Sequence, residues 1–218
     1  MTRAALVAEW RKTVGDTSIP YRWDDDMVIS AMAEGQDVFC EETGYFVDSA
    51  TFTQVMTPGT TRYALDSRII KVMEVWYGDV RLSPFIQVNR PISDPLVSAN
   101  PYAWQTDKET EYLTVYPNPI SAITLTLRAQ RYTLFSLDHQ TAGAYDKDPE
   151  IPSRCHRALV HYAASIWYGW RDRDEQNHPE ANTHMSKFQF YVTRGRRLFD
   201  AIRSQTPAVS GNDLYLFQ

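Results

Sequence analysis

The chain has 218 residues, of which 43% are hydrophobic, 22% charged and 13% aromatic, and its formal net charge is -5. That length allows one large domain or two small ones, each able to bury a core. The acidic balance excludes a protein whose main task is gripping phosphate backbones, since such binding is built on clustered Lys and Arg.

The opening "MTRAALVAEWRKTVGD" carries Glu9, Arg11 and Lys12 where a signal peptide needs an apolar core. No run approaches the roughly 20 apolar residues of a membrane span. A soluble protein made in the cytoplasm, with no membrane partner, is expected. The first helix is predicted over residues 2–14, with Leu6 and Trp10 on one face and the breaker "GDTSIP" behind it. A second begins in "WDDDMVISAMAEGQDVFCEE", where Asp24 is a good N-cap and Asp25 and Asp26 suit the positive end of the dipole while facing solvent. Its apolar stripe is Val28, Ala31, Met32, Gly35 and Phe39.

From about Phe46 to Thr133 the period changes to alternation, the pattern of half-buried strands. In "AITLTLRAQ", Ile123, Leu125, Leu127 and Ala129 alternate with polar residues. "YLTVYPNP" precedes it and is expected to be its antiparallel neighbour through Pro117-Asn118-Pro119. Upstream, "RIIKVMEVWYGDVRLSPF" reads as a hairpin turning at Gly78-Asp79, and "ATFTQVMTPGTTRYAL" as another turning at Pro58-Gly59. Short strands at this density suggest a small antiparallel sheet or barrel.

Helical period returns in "DPEIPSRCHRALVHYAASIWYGWRDRDE", with Cys155, Leu159, Tyr162, Ala163, Ile166 and Trp170 on one face. The loop "RDRDEQNHPEAN" leads to a last helix whose expected packing face is Ala181, Met185, Phe188, Val192, Gly195, Phe199 and Ile202. Two helices joined by so short a loop should form a hairpin. Regularity ends at Gln205. The order is helix, helix, sheet insertion, helix, helix, tail, an α+β fold. The domains expected are a bundle of helices from 1–45 and 136–205, a β-rich insertion over 46–135, and an extended C-terminal tail over 206–218.

Candidate chemistry is sparse. His156 and His161 are five apart, about 140° around a helix, whereas two metal ligands on one face need a spacing of three or four. His178 and His184 have no cysteine partner nearby. Cys155 and His156 are adjacent and point apart, so they read as a core thiol beside a surface histidine; Cys40 reads as a second core thiol. No GxGxxG, P-loop or GxSxG motif occurs. No catalytic residue, cofactor or metal is therefore expected. Asp172 and Asp174, interleaved with Arg171 and Arg173, read as a solvated or interface charge run. The last helix carries a basic cluster that includes Arg194, Arg196 and Arg197. Opposing it to the acidic loop of an identical neighbour makes these seven residues a candidate subunit interface. The terminal "GNDLYLFQ" places Leu214, Tyr215, Leu216 and Phe217 behind a flexible spacer, where termini are usually polar.

The stretches "FVDSATFTQVMTPGTTRYALDSRIIKVMEVWYGDVRLSPF", "LTVYPNP" and "EIPSRCHRALVHYAASIWYGWRDRDE" together resemble the head-to-tail adaptor proteins of tailed bacteriophages, also called neck connectors or tail accessory factors, from about Trp23 to Phe199. The resemblance implies a non-enzymatic virion protein of the neck. It would be a subunit of a homo-oligomeric ring of about twelve copies, docked under the portal protein and offering a surface to tail or nozzle proteins, with DNA passing through unheld. It also implies that the C-terminal segment reaches along the portal or a neighbouring subunit. Residues 206–218 are thus expected to be disordered in the free monomer and to order on such a partner through Leu214 to Phe217, rather than fold back on their own helices. A competing expectation is a β-rich module for glycans or tail proteins on a helical stem, marked by an exposed cluster of Trp76, Tyr77, Tyr102 and Trp104.

Overall fold

The computed structural model describes residues 1–60, 62–85, 100–107, 111–134, 137, 148–170 and 177–205, with only the backbone of 202–205. The fold is α+β, and the chain divides into two compact units, Met1–Tyr45 with Ser136–Gln218, and Phe46–Phe135.

In the first unit, α1 (Arg3–Val14) starts where the Thr2 side chain accepts a hydrogen bond from Ala5 N and stops at Gly15, whose φ of 75° is left-handed. Helix α2 (Asp25–Thr43) is capped by Asp24, which accepts from Met27 N, and ends at Gly44. Its stripe Val28, Ala31, Met32, Gly35 and Phe39 is buried. Between the two helices the Arg11 guanidinium donates to the carboxylates of Asp16 and Asp25 and to the Trp23 carbonyl, and stacks 3.5 Å from the Tyr21 ring centroid. Asp25, the first residue of α2, is exposed as expected but also pairs with Arg11. Trp10 stacks on Trp23, and both rings meet Trp167 edge-on at 5.4 and 5.1 Å.

A 3-10 turn (Ser153–Cys155) leads into α3 (Arg157–Trp170), and α4 spans His178–Gln205. Helix α3 packs against α1, α2 and α4, and α2 also meets α4. Two glycines allow close approach. A Cβ on Gly35 would sit 2.8 Å from the Tyr162 ring, and one on Gly195 would sit 2.6 Å from Phe39 Cζ. The expected faces need two corrections. On α3 the buried tryptophan is Trp167, while Trp170 is 77% exposed. On α4, His184, Phe188, Val192 and Gly195 are buried and Met185 is exposed. Stepping back by four from Phe188 reaches His184, so a polar ring, invisible to an apolar pattern, holds the place given to Met185.

The second unit contains β1 (Val47–Met56), β2 (Arg62–Ala64), β3 (Ile69–Tyr77), β4 (Val80–Arg81), β5 (Ser83–Pro84), β6 (Ala103–Asp107), β7 (Tyr112–Tyr116) and β8 (Ile123–Arg131). They form two four-stranded sheets, ordered β1-β8-β3-β4 and β2-β7-β6-β5. All pairings are antiparallel except β5 with β6, which is parallel. Neither sheet closes among the described residues, so the barrel alternative gives way to two open sheets. Their inward residues share one core, in which Phe52, Met56, Val75, Leu125 and Leu127 of the first meet Tyr63, Trp104, Leu113 and Val115 of the second.

The β3–β4 hairpin turns at Gly78, with φ 56°, as its sequence indicates. The other two expected hairpins are not pairs. β7 and β8 lie in different sheets, and so do β1 and β2. Pro117 and Pro119 have no N–H to extend a ladder, so the chain crosses between sheets there. After β1, the turn at Thr57–Thr60 is fastened by the Tyr63 hydroxyl, which accepts from Thr57 N at 3.0 Å and donates to Thr60 O at 2.6 Å. That anchor turns the chain into the second sheet instead of back along β1.

Candidate interaction surface

The surface of α4 follows from its register. With His184, Phe188, Val192 and Gly195 inward, the residues Phe190, Thr193, Arg194 and Arg197, spaced i, i+3, i+4 and i+7, fall on one outward face. They line a cleft of about 320 Å³. Phe190 is 64% exposed and packs edge-on against Tyr191, with centroids 5.6 Å apart. Arg194 and Arg197 are exposed, and neither has an ion-pair partner among the described residues. Arg196 differs from them, since its guanidinium turns to α2 and binds the Glu42 carboxylate and backbone carbonyl. Of the candidate interface residues, these three arginines are described and do not share one environment. Arg171, Asp172, Arg173 and Asp174 lie outside the described residues, as do Leu214, Tyr215, Leu216 and Phe217.

The inward side of α4 carries a feature that spacing along one helix does not reveal. Nδ1 of His161 on α3 and Nδ1 of His184 on α4 are 3.1 Å apart. Tyr168 stacks on His184 and Tyr191 on His161, making a four-ring ladder between the two helices. A hydrogen bond between two Nδ1 atoms needs one N–H and one lone pair, so complementary neutral tautomers suit it. Burial, then the neighbouring His184 and the Lys187 and Arg157 charges, push the His161 imidazole down to about 4. Burial, then Lys187, lowers that of His184, with Glu180 acting the other way.

His156 is not the surface histidine expected. It is 4% exposed, with Nε2 2.9 Å from the Ile151 carbonyl oxygen and Nδ1 2.8 Å from the Met1 ammonium. It sits in the turn between the 3-10 segment and α3, where surface periodicity does not apply. Burial raises the pKa of the Cys155 thiol, the opposite of what a nucleophile needs. Among the described residues, no group of three His, Cys, Asp or Glu side chains is placed to hold a metal, and no helix is long and apolar enough to cross a membrane.

The exposed aromatic cluster that a glycan module calls for does not form. Trp104 is buried and donates its indole N–H to the Leu82 carbonyl, and Tyr102 is exposed alone. Trp76 and Tyr77 belong to the other sheet and are half-buried.

A protein-family model described as SU10 adaptor protein matches residues 1–211. The chain belongs to the SU10 adaptor protein family. This is a phage head-to-tail adaptor family, so the adaptor reading drawn from the strand, turn and helix stretches holds, and membership implies a structural role in the virion. A family of structural adaptors implies a non-enzymatic role. The matched span ends at Gly211, so the apolar run Leu214–Phe217 lies beyond it. No curated protein matches the chain.

Proposed function

We propose that this adaptor is the subunit of a ring, about twelve copies around, that docks beneath the portal and joins the capsid vertex to the tail while leaving a channel for DNA. The family match across residues 1–211 carries the reading. In it, the helices of 1–45 and 136–205 form an antiparallel bundle that seats against the portal and neighbouring copies, the β-rich insertion of 46–135 faces tail proteins, and 206–218 is a docking segment. The net charge of -5 suits a channel that lets the genome pass without gripping it.

In this reading Leu214, Tyr215, Leu216 and Phe217 bind the portal or a neighbouring subunit. Burying each side chain contributes about 1.5–3 kcal/mol, and ordering the segment costs about 1–2 kcal/mol per residue. One tail alone binds weakly, whereas tails coupled around a ring gain avidity. Mass photometry of the full chain with a purified portal ring tests the proposal. Addition of a full ring of subunits to the portal supports it, and no added mass at saturating adaptor overturns it.

A further inference from the structure

The cleft on α4 and the apolar run after it suit one another in charge, length and distance. The cleft offers one exposed aromatic ring, Phe190, and two guanidiniums, Arg194 and Arg197, without ion-pair partners among the described residues. Residues 206–218 contain a single charged side chain, Asp213, directly before Leu214-Tyr215-Leu216-Phe217. An acidic group followed by large apolar ones is the peptide chemistry that a cleft of arginines beside a phenylalanine selects.

The reach is also adequate. Helix α4 ends at Gln205, and Arg194 lies about 16 Å back along it. Residues 206–213 span up to about 26 Å when extended, enough to reverse direction and deliver Leu214 to the cleft. From Phe190 to Arg197 the helix rises about 10 Å, close to the length of four extended residues. A tether this short holds its end at an effective concentration in the millimolar range. At micromolar protein the segment's own helix therefore outcompetes any second copy for it.

We infer that in the unassembled subunit the C-terminal segment docks on α4 of the same chain, with Asp213 at Arg194 and Arg197 and the Leu214–Phe217 run over Phe190. This amends the expectation of a segment disordered until assembly, and it does not depend on the ring reading. It gives the free adaptor a way to cover its apolar segment until a partner competes for it.

The test uses the full chain carrying Phe217→p-benzoylphenylalanine, as an equal mixture of unlabelled and nitrogen-15-labelled protein, irradiated without portal and mapped by mass spectrometry. Cross-links falling within Phe190–Arg197, joining peptides of the same isotope, support the inference. Arg194→Glu with Arg197→Glu should lower their yield at least about fivefold, the effect of one or two weak ion pairs reversed, and adding Asp213→Arg should restore it. Both arginines are exposed, so folding is not at issue. Cross-links elsewhere on the chain, cross-links between isotopically different molecules, or a yield indifferent to charge reversal would each overturn it.

Discussion

The contact between α2 and α3 rests on the missing side chain of Gly35. A Cβ there would lie 2.8 Å from Cγ and Cδ1 of Tyr162 and 2.9 Å from its Cβ, against about 3.5–4.0 Å for an ordinary carbon contact. The Tyr162 side chain has little room to yield. It is 8% exposed, its ring packs on Phe188 at 5.1 Å, and its hydroxyl donates to Glu34 at 2.9 Å. Gly35→Ala should therefore force the two helices apart by about 1 Å. Overpacking of this kind costs about 1–3 kcal/mol, with main-chain separation at the upper end, while replacing a mid-helix glycine by alanine returns about 1 kcal/mol. The net expectation is a loss of about 1–2 kcal/mol. Gly169→Ala is the internal control, because nothing lies within 4 Å of its added Cβ and propensity alone should stabilise by up to about 1 kcal/mol. Urea unfolding followed by far-ultraviolet circular dichroism reads both. If Gly35→Ala matched or exceeded the wild-type midpoint, the close approach would not be limiting and the argument would fail.

Arg11→Ala strips the partner from Asp16, which is buried, and should cost about 3–5 kcal/mol in urea unfolding, with Arg11→Lys recovering only part because one ammonium cannot serve two carboxylates and a carbonyl at once. A loss below about 1 kcal/mol would refute the hub. Tyr63→Phe removes the hydroxyl that fastens the turn after β1, costing about 1–2 kcal/mol, and hydrogen exchange at the Thr57 amide should accelerate; unchanged exchange there would show the turn to be self-sufficient. His161 is neutral in the fold with its pKa at about 4, below the unfolded value near 6.5, so its contribution is full above pH 6.5 and is lost as pH falls toward 4. His161→Gln should flatten, though not abolish, the fall of the urea midpoint in that window, since His184 and His156 are lowered too; an unchanged slope would remove His161 from the account. Asp48 acts in a separate window. Burial alone would raise it, but hydrogen bonds from Thr51 and Ala50 and the charge of Arg131 outweigh burial and hold it at about 2, so its support is lost only as pH falls from about 4 toward 2. Asp48→Asn should therefore reduce the loss of stability below pH 4 and leave the His161 window unaltered.

The helices were readable because their signals are local. Asp24 caps α2 through its own side chain, and the stripe from Val28 to Phe39 is buried as its spacing requires. The strands were readable for the same reason, as in the inward Ile123, Leu125, Leu127 and Ala129 of β8. Their partners were not. Alternation states which face of a strand is buried, but β7 and β8 both alternate, and nothing within either says that Tyr112–Tyr116 belongs beside Arg62–Ala64 and Ala103–Asp107. β1 and β2 part because each pairs with a strand far along the chain, β1 with β8 and β2 with β7, and the Tyr63 hydroxyl on the Thr57–Thr60 turn is a side-chain contact that alternation does not encode. His184 was hidden by its polarity, and its partner His161 by a sequence separation of 23.

The two sides of α4 differ in how far the fold depends on them. Along α4, the inward positions are filled by groups that depend on their neighbours: a glycine with Phe39 against it, a phenylalanine under Tyr162, and a histidine that needs the lone pair or N–H of another. Substitution there perturbs the subunit before it can perturb assembly. One step around the helix, Phe190, Arg194 and Arg197 make few demands on the fold, and exposed positions of this kind usually change stability by less than about 0.5 kcal/mol. A large exposed aromatic one turn from an arginine contributes little to stability where it stands, and under the proposed docking its part is in what binds over it. Under that proposal, charge reversal at Arg194 and Arg197 should lose binding while keeping the subunit folded, since both side chains are exposed.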